Sequence, residues 1–185
     1  MPTGTEPAPH ALEPLAAPSK VGRTLAVVAV LAMVLFWIWI LSGGPRTPNA
    51  DRLDDRAYVA RTERRCEQLR TDLKALPSAS ATPTAAERAD VLDRATGLVA
   101  EMVDDIEADA PRSGDDAVSL ESWFADWRTY LADRQAYADR LRVDPGAKFL
   151  VSENAEFSDS VDKTIEVFAE DANDIDACAT PGDVG

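Results

Sequence analysis

The sequence predicts an all-α protein, with a single N-terminal transmembrane helix followed by an antiparallel helical bundle of about four helices. Residues 21–41 form one long apolar run, and beyond it apolar side chains recur at helical spacings of three and four. No segment alternates strictly between apolar and polar residues, so we expect no sheet. The predicted parts are a disordered Pro-rich tail at 1–20, a transmembrane helix at 21–42, a linker at 43–50, the bundle at 51–179 and a C-terminal tail at 180–185.

The apolar run has the length of a membrane span. The 21 residues from Val21 to Leu41 cover about 31 Å as a helix, against about 30 Å for a hydrocarbon core. Its one charge, Arg23, can reach back to the headgroups, while Trp37 and Trp39 lie at the other end, where indole rings favour the interface. We expect these three residues to anchor the helix. The alternative is a cleaved signal peptide, but its apolar core is shorter, about 7–15 residues, and small residues follow it.

Charges on the two flanks of this helix bear on its orientation. Lys20 and Arg23 favour a cytoplasmic N-terminus. Arginines at 46, 52 and 56 follow the helix, but aspartates interleave with them, so a count of basic residues alone does not decide. Since the two cysteines also suit an oxidising compartment, we expect a single-pass cell-membrane protein whose C-terminal domain is extracytoplasmic.

Four amphipathic segments follow the anchor. They run from about Asp51 to Leu76, from near Thr84 to just before Pro111, from near Ser119 to Leu141, and from about Ser158 to Ile175. Thr84 and Glu87 have the spacing of a capping box, which marks the start of the second helix. Short and medium loops between such segments favour an antiparallel bundle.

The third segment carries an aromatic stripe, with Trp123, Trp127 and Tyr130 at helical spacing. Such a stripe most often fills the core of a bundle, because aromatic side chains bury large apolar areas. The alternative is a ligand groove between helices, lined by the same three residues. An exposed groove around the tryptophans would favour that alternative.

The two cysteines lie on apolar stripes, Cys66 on the first predicted helix and Cys178 three residues beyond Ile175 on the fourth. Two independent buried thiols are one interpretation. We favour a disulfide that ties the first helix to the end of the fourth. It would bring two oppositely charged sets together, namely Arg61, Arg64, Arg65 and Arg70 of the first helix and Glu166, Glu170, Asp171 and Asp174 of the fourth.

The formal net charge is −14, from 33 acidic and 19 basic side chains. Residues 1–42 are neutral overall, and residues 43–76 carry eight basic and six acidic side chains. Residues 144–185 carry two basic and eleven acidic ones. Nucleic acid is therefore not expected as a partner, because phosphate binding needs clustered Lys and Arg. A partner for the acidic surface is expected to be basic.

The residues needed for most catalytic and metal chemistry are missing. The single histidine, His10, lies in the predicted tail, so a Ser-His-Asp or Cys-His arrangement is not expected. No phosphate-binding loop or zinc motif occurs, and the run DANDIDAC places Ile175 where a calcium loop needs an oxygen ligand. We expect no catalytic residues, no cofactor, no metal and no enzymatic activity. A pair of carboxylates acting alone is the remaining enzymatic alternative.

The overall layout resembles that of short single-pass membrane proteins of high-GC actinobacteria. The resemblance rests on a Pro-rich tail, a helix ending in WIWIL, an Ala/Asp/Arg-rich helical region, and the stretch C-x-T-P-x-D-V from Cys178 to Val184. It implies a location in the membrane and no particular activity.

Two functions fit these features. The first is a non-catalytic interaction or accessory module, anchored in the bilayer and binding another membrane or envelope protein. The second is an extracytoplasmic ligand-binding or sensing domain that acts through a partner, since 20 residues before the helix leave little room for an output domain.

Overall fold

The computed structural model describes residues 20–41, 49–155 and 157–182. The predicted tail at 1–20, the linker at 43–50 and the tail at 180–185 lie partly or almost wholly outside the described residues. The described part of the chain is mostly helical and has one N-terminal apolar helix, as the sequence predicts. It divides into two units, Met1–Thr47 and Pro48–Gly185.

The first unit contains helix α1, Lys20–Leu41, which has 22 residues. It is displaced by one residue at each end from the helix predicted at 21–42. Its mean hydropathy reaches 2.7, and by length and composition it could cross a membrane. The Phe36 ring lies 6.1 Å from that of Trp37 and 6.3 Å from that of Trp39, centroid to centroid. These three rings form an aromatic group at the C-terminal end of the helix.

The second unit begins its helical part with α2, Arg56–Lys74. The Asp55 carboxylate caps this helix by accepting a hydrogen bond from the Tyr58 backbone N–H at 2.9 Å. The sequence predicts a start near Asp51. The helix starts later because Leu53 is buried and donates its backbone N–H to the Asn173 side chain at 2.8 Å. That tertiary hydrogen bond holds the residues before the cap outside the helix.

Helix α3 spans Ala85–Ala108, and its predicted capping box is confirmed. The Thr84 hydroxyl accepts the Glu87 backbone N–H at 3.2 Å, and the Glu87 carboxylate accepts the Thr84 backbone N–H at 3.1 Å. Two of the unpaired donors at the helix start are thereby satisfied. A short 3-10 turn, Ala79–Ala81, precedes the cap.

Helix α4 spans Asp115–Val143, the longest helix of the described residues, and begins four residues before the predicted Ser119. Gly114 precedes it with a φ of +85°, a conformation that glycine adopts without a side-chain clash. Asp115 and Asp116 then occupy the first turn, where negative charge is favourable. The Asp116 carboxylate also accepts the backbone N–H of Asp54 at 2.9 Å and of Asp55 at 3.0 Å.

The region from about Ser158, predicted as a fourth continuous helix, is divided into several short elements, and a first strand precedes it. Strands β1, Glu153–Asn154, and β2, Asp159–Ser160, form an antiparallel hairpin and are followed by helix α5, Val161–Glu166. A π-helical segment, Val167–Ala172, and a 3-10 turn, Asp176–Cys178, complete it. The expectation that no sheet would occur is therefore wrong, because strands of two residues are too short to show alternation.

Asn173 explains why the fourth helix does not continue. Its side chain is fully buried and donates to the carbonyls of Phe168 and Asp51, both at 3.0 Å, in addition to its contact with Leu53. A polar side chain that bonds the backbone in this way competes with helical hydrogen bonds. Asp174 then adopts a φ of +60°, which ends the π-helical segment.

The core of the second unit draws on every helix from α2 to α5. One cluster joins buried apolar residues of α2, α3 and α4 to those of α5 and the segments after it. A smaller cluster fills the other end of the α3–α4 interface and contains Ala89, Leu92, Tyr137, Ala138 and Leu141. The helical stripes read from the sequence therefore supply the core.

The predicted charge pairing between the first and fourth helices is wrong for Arg61 and Arg65. The Arg61 Nε lies 2.6 Å from Asp109, the residue that follows α3, and the Arg65 Nε lies 2.7 Å from Asp105 on α3. Each pair repeats after four residues, so one turn of α2 faces one turn of α3. Asp174 of the predicted fourth helix lies 3.4 Å from Arg52 and 3.6 Å from Arg56, two arginines of the predicted first helix other than the four expected.

Candidate functional site

A concavity of about 180 Å³ opens on the surface of the second unit between α4, the hairpin, α5 and the π-helical segment. We call it the Trp123 concavity. It is lined by Asp51, Ser119, Ser122, Trp123, Asp126, Phe157, Asp159, Lys163, Thr164, Val167 and Phe168. Its lining is thus aromatic and aliphatic at some positions and charged at others.

The floor of the concavity is a stack of two buried rings. The Trp123 and Phe168 rings lie 4.9 Å apart, centroid to centroid, with 25° between their planes. The Trp123 indole N–H donates to the carbonyl of Ile165 at 3.3 Å. Trp123 is 2% exposed and Phe168 is 7% exposed. Because the indole is fixed by both packing and a hydrogen bond, the floor is already formed without a ligand.

Two exposed apolar side chains lie at the mouth of the concavity. Phe157, in the hairpin turn, is 58% exposed, and Val167, at the start of the π-helical segment, is 39% exposed. Ser158 follows Phe157 with a φ of +53°, the left-handed region, which costs a residue other than glycine conformational energy. The turn is held by the Ser158 backbone N–H, which donates to the Asn154 carbonyl at 3.0 Å. An exposed phenylalanine is therefore presented on a defined turn.

Asp126 links three elements beneath this site. One carboxylate oxygen accepts the Asn154 side-chain amide at 2.7 Å, and the other accepts the Thr164 hydroxyl at 2.6 Å. The side chain is largely buried on α4. Since both oxygens are already bonded, Asp126 is suited to hold the hairpin and α5 in place rather than to bind a ligand.

The rim of the concavity carries more negative than positive charge. Asp51 and Asp159 are exposed at the rim. The basic residue, Lys163, lies 3.9 Å from the Glu166 carboxylate, which offsets its charge. The electrostatic potential at the mouth therefore favours a cation.

The aromatic stripe predicted on the third helix is divided between core and concavity. Trp127 and Tyr130 are fully buried, with their rings 5.9 Å apart, and belong to the main core cluster rather than to the concavity. Trp123 alone of the three lines it. The favoured interpretation, a stripe that fills the core, describes Trp127 and Tyr130, and the alternative of a groove applies to Trp123 alone.

Arg134 is a buried charge that sequence reasoning missed. It is 1% exposed and donates to the Thr96 hydroxyl at 3.2 Å, to the Tyr130 hydroxyl at 3.4 Å and to the Gly182 carbonyl. Its Nη2 has no hydrogen-bond partner among the described residues. Burial raises the pKa of Tyr130, although the nearby guanidinium acts in the opposite direction.

The two cysteines are within disulfide-bonding distance, as the sequence predicts. The Sγ atoms are 1.98 Å apart and the Cα atoms 5.1 Å apart, and the pair connects α2 to the last 3-10 turn. Both residues are buried. The bond fixes the segment that leads to Gly182, and so it supports the Arg134 side of the core more directly than the Trp123 concavity.

Glu63 carries a partly buried carboxylate. Burial raises the pKa of the Glu63 carboxyl, which accepts the Ala177 backbone N–H at 3.2 Å. Glu63 lies on α2, however, and does not line the concavity. Within residues 20–41, 49–155 and 157–182, no group of three metal-binding side chains occurs.

Comparisons with protein families, with curated proteins and with solved structures find no match to the chain.

Proposed function

We propose that this chain is a membrane-anchored, non-catalytic interaction module. In this proposal α1 spans the cell membrane with its N-terminus in the cytoplasm, and the second unit lies outside. The apolar length of α1 supports the anchor. The bonded Cys66–Cys178 pair supports an oxidising compartment, since structural disulfides are rare in the cytosol.

The second unit is proposed to be an antiparallel bundle. Contacts between α3 and α4 support this arrangement, because residues further along α4 contact residues that come earlier in α3. Arg128 pairs with Glu107, Arg134 bonds Thr96, Gln135 bonds Asp93, and Arg142 pairs with Asp90. Contacts between α2 and α3 run in the same sense, with Tyr58 bonded to Ile106 and Arg65 paired with Asp105.

The observation that carries the proposal is the pair of exposed apolar side chains above a preformed aromatic floor. Phe157 and Val167 remain accessible although the core beneath them is well packed. Exposed apolar residues that converge on one concavity are typical of a protein-binding surface. We propose that another envelope protein covers them.

A ligand-binding or sensing domain is the second candidate, and the size of the concavity argues against it. A volume of about 180 Å³ is below the roughly 300–1,000 Å³ of pockets that enclose a drug-sized ligand. It suits one side chain of a partner better than a whole small molecule. The interaction module is therefore preferred.

Photocrosslinking in intact cells tests the proposal. A photoreactive amino acid at position 157 of the full-length chain is expected to give a discrete adduct with one protein. The matched control is position 143, because Val143 is also apolar and is 86% exposed, yet does not line the concavity. Equal adducts at both positions, or none at 157, would contradict a binding surface here.

A topology reporter tests the anchor separately. Alkaline phosphatase fused after residue 185 is expected to be active, since it folds only outside the cytoplasm, and the fusion is expected to remain in the membrane fraction. A fusion that is inactive, or that is released in soluble form, would contradict the proposed orientation or the anchor.

A further inference from the structure

We infer that the Trp123 concavity binds a basic, amphipathic polypeptide segment, in which an apolar side chain is flanked by lysine or arginine. This inference rests on the proposed function and names the chemistry of the partner. The apolar side chain would lie between Phe157 and Val167 and contact the stacked rings of Trp123 and Phe168. The flanking cations would face Asp51 and Asp159.

The interior of the concavity selects for an apolar side chain. Its floor consists of two aromatic rings that are held in place by stacking and by the bond from Trp123 to Ile165. A binding surface that is fixed beforehand loses little conformational entropy on association. Burial of the exposed parts of Phe157 and Val167 then contributes in proportion to the apolar area removed from water.

The charges around the mouth select for a cation beside that apolar group. Asp51 and Asp159 are exposed, and Asp159 accepts the backbone N–H of Ser160 through one oxygen at 2.8 Å, which leaves its second oxygen for a partner. Lys163 is opposed by Glu166 at 3.9 Å. Asp126 is not counted as a partner, because Asn154 and Thr164 occupy its two oxygens. The net charge of −14 adds long-range attraction for a basic segment.

A second copy of this chain is a poorer occupant. Two basic residues of its α2 are already opposed by acids, with Arg61 at 2.6 Å from Asp109 and Arg65 at 2.7 Å from Asp105. Arg142, next to the exposed Val143, is likewise held by Asp90, at 2.9 Å. Two copies at −14 each would also repel one another. An anionic lipid surface is disfavoured by the same charge.

Peptide binding tests the inference directly. The full-length chain is placed in nanodiscs of zwitterionic lipid, with empty nanodiscs as the blank. Three labelled 12-residue probes are compared by fluorescence anisotropy: one of leucine and lysine, one with glutamate in place of lysine, and one with serine in place of leucine. We expect the leucine–lysine probe to bind at least tenfold more tightly than either of the others.

Variants assign the binding to the concavity. Phe157→Ser is expected to lower the affinity for the leucine–lysine probe at least tenfold. The double substitution Asp51→Asn with Asp159→Asn is expected to lower that affinity severalfold and to make it less dependent on salt. Val143→Ser is the matched control and should bind as the unaltered chain does. All the substituted side chains are exposed, so each variant is expected to fold. Circular dichroism checks this.

The outcomes separate this inference from the proposed function. Equal binding of the lysine and glutamate probes, or unchanged binding by Phe157→Ser, would overturn the basic-segment inference. If either result is obtained but position 157 still crosslinks to one protein in cells, the proposed interaction module is retained and only the proposed chemistry of its partner is wrong. Loss of the crosslink at 157 would contradict the module itself.

Discussion

Helix α4 carries two buried charged residues, Asp126 and Arg134, little more than two turns apart, and their hydrogen bonding differs. Asp126 is bonded through both oxygens, to Asn154 of the hairpin and to Thr164 of α5. Arg134 is more deeply buried, but its hydrogen bonds go to neutral groups and its Nη2 has none among the described residues. A buried charge whose bonds are complete fixes the elements around it, whereas one with incomplete bonds costs free energy.

Asp126 and Arg134 lie in differently organised parts of the second unit, which we call the Asp126 side and the Arg134 side. The Asp126 side presents the Trp123 concavity, and its geometry depends on polar bonds between short elements. The Arg134 side lies under the C-terminal segment, which the Cys66–Cys178 pair holds against α2. One side is thus organised by hydrogen bonds and the other by a covalent link and apolar packing.

Removal of the disulfide should have the largest effect and should act on the Arg134 side. The bond joins residues 112 positions apart, so the chain-entropy argument gives a loss of about 3–5 kcal/mol in the free energy of unfolding for Cys66→Ala with Cys178→Ala. Urea unfolding of the full chain in detergent, followed by circular dichroism, measures it.

Hydrogen exchange of the same variant tests which side is affected. Amides near 176–182 are expected to lose protection, because they are no longer tied to α2, while those of the β1–β2 hairpin keep theirs. Equal loss of protection in both regions would show that the two sides are not independent. The unaltered chain with and without reductant serves as the control.

Asp126→Ala should produce the next largest effect. It leaves the Asn154 amide and the Thr164 hydroxyl without their acceptor in a largely buried site, which costs about 2–4 kcal/mol of unfolding free energy. The control is Asp159→Ala, an exposed rim residue, which should change stability by about 0.5 kcal/mol or less. Similar losses in the two variants would contradict the positioning role of Asp126.

Helical periodicity was sufficient to predict the long helices α2, α3 and α4 and to pair the two cysteines. Cys66 and Cys178 could be paired from sequence because each continues an apolar stripe, and two stripes that share a core bring their members together. The capping box at Thr84 was likewise predictable, since both of its hydrogen bonds are local. Apart from the disulfide, which joins residues 112 positions apart, the predictable features depend on neighbours within four residues.

The concavity was not predictable, because it depends on contacts between distant residues. Asn173 interrupts the last helix through bonds to Asp51 and Leu53, more than a hundred residues away. The strands at 153–154 and 159–160 are too short to give a period of two. The partners of Arg61 and Arg65 were misassigned because a run of acids on α3 has the same composition as one near the C-terminus.

Arg134→Met should have the smallest effect, although Arg134 is the more deeply buried of the two charges. Methionine fills a similar length, and the substitution removes both the guanidinium and the cost of burying it without an opposite charge among the described residues. The lost bonds to Thr96 and Gly182 act against this gain. We therefore expect a change of about 1 kcal/mol or less in either direction.

The same unfolding experiment measures this change beside that of Asp126→Ala. Arg134→Ala is the companion variant and should be clearly less stable than Arg134→Met, because it leaves a cavity between α3 and α4. A loss of more than about 3 kcal/mol for Arg134→Met would reverse the comparison, since breaking a completed buried ion pair has that magnitude. The guanidinium would then be held by an anion, and both buried charges of α4 would be fully bonded.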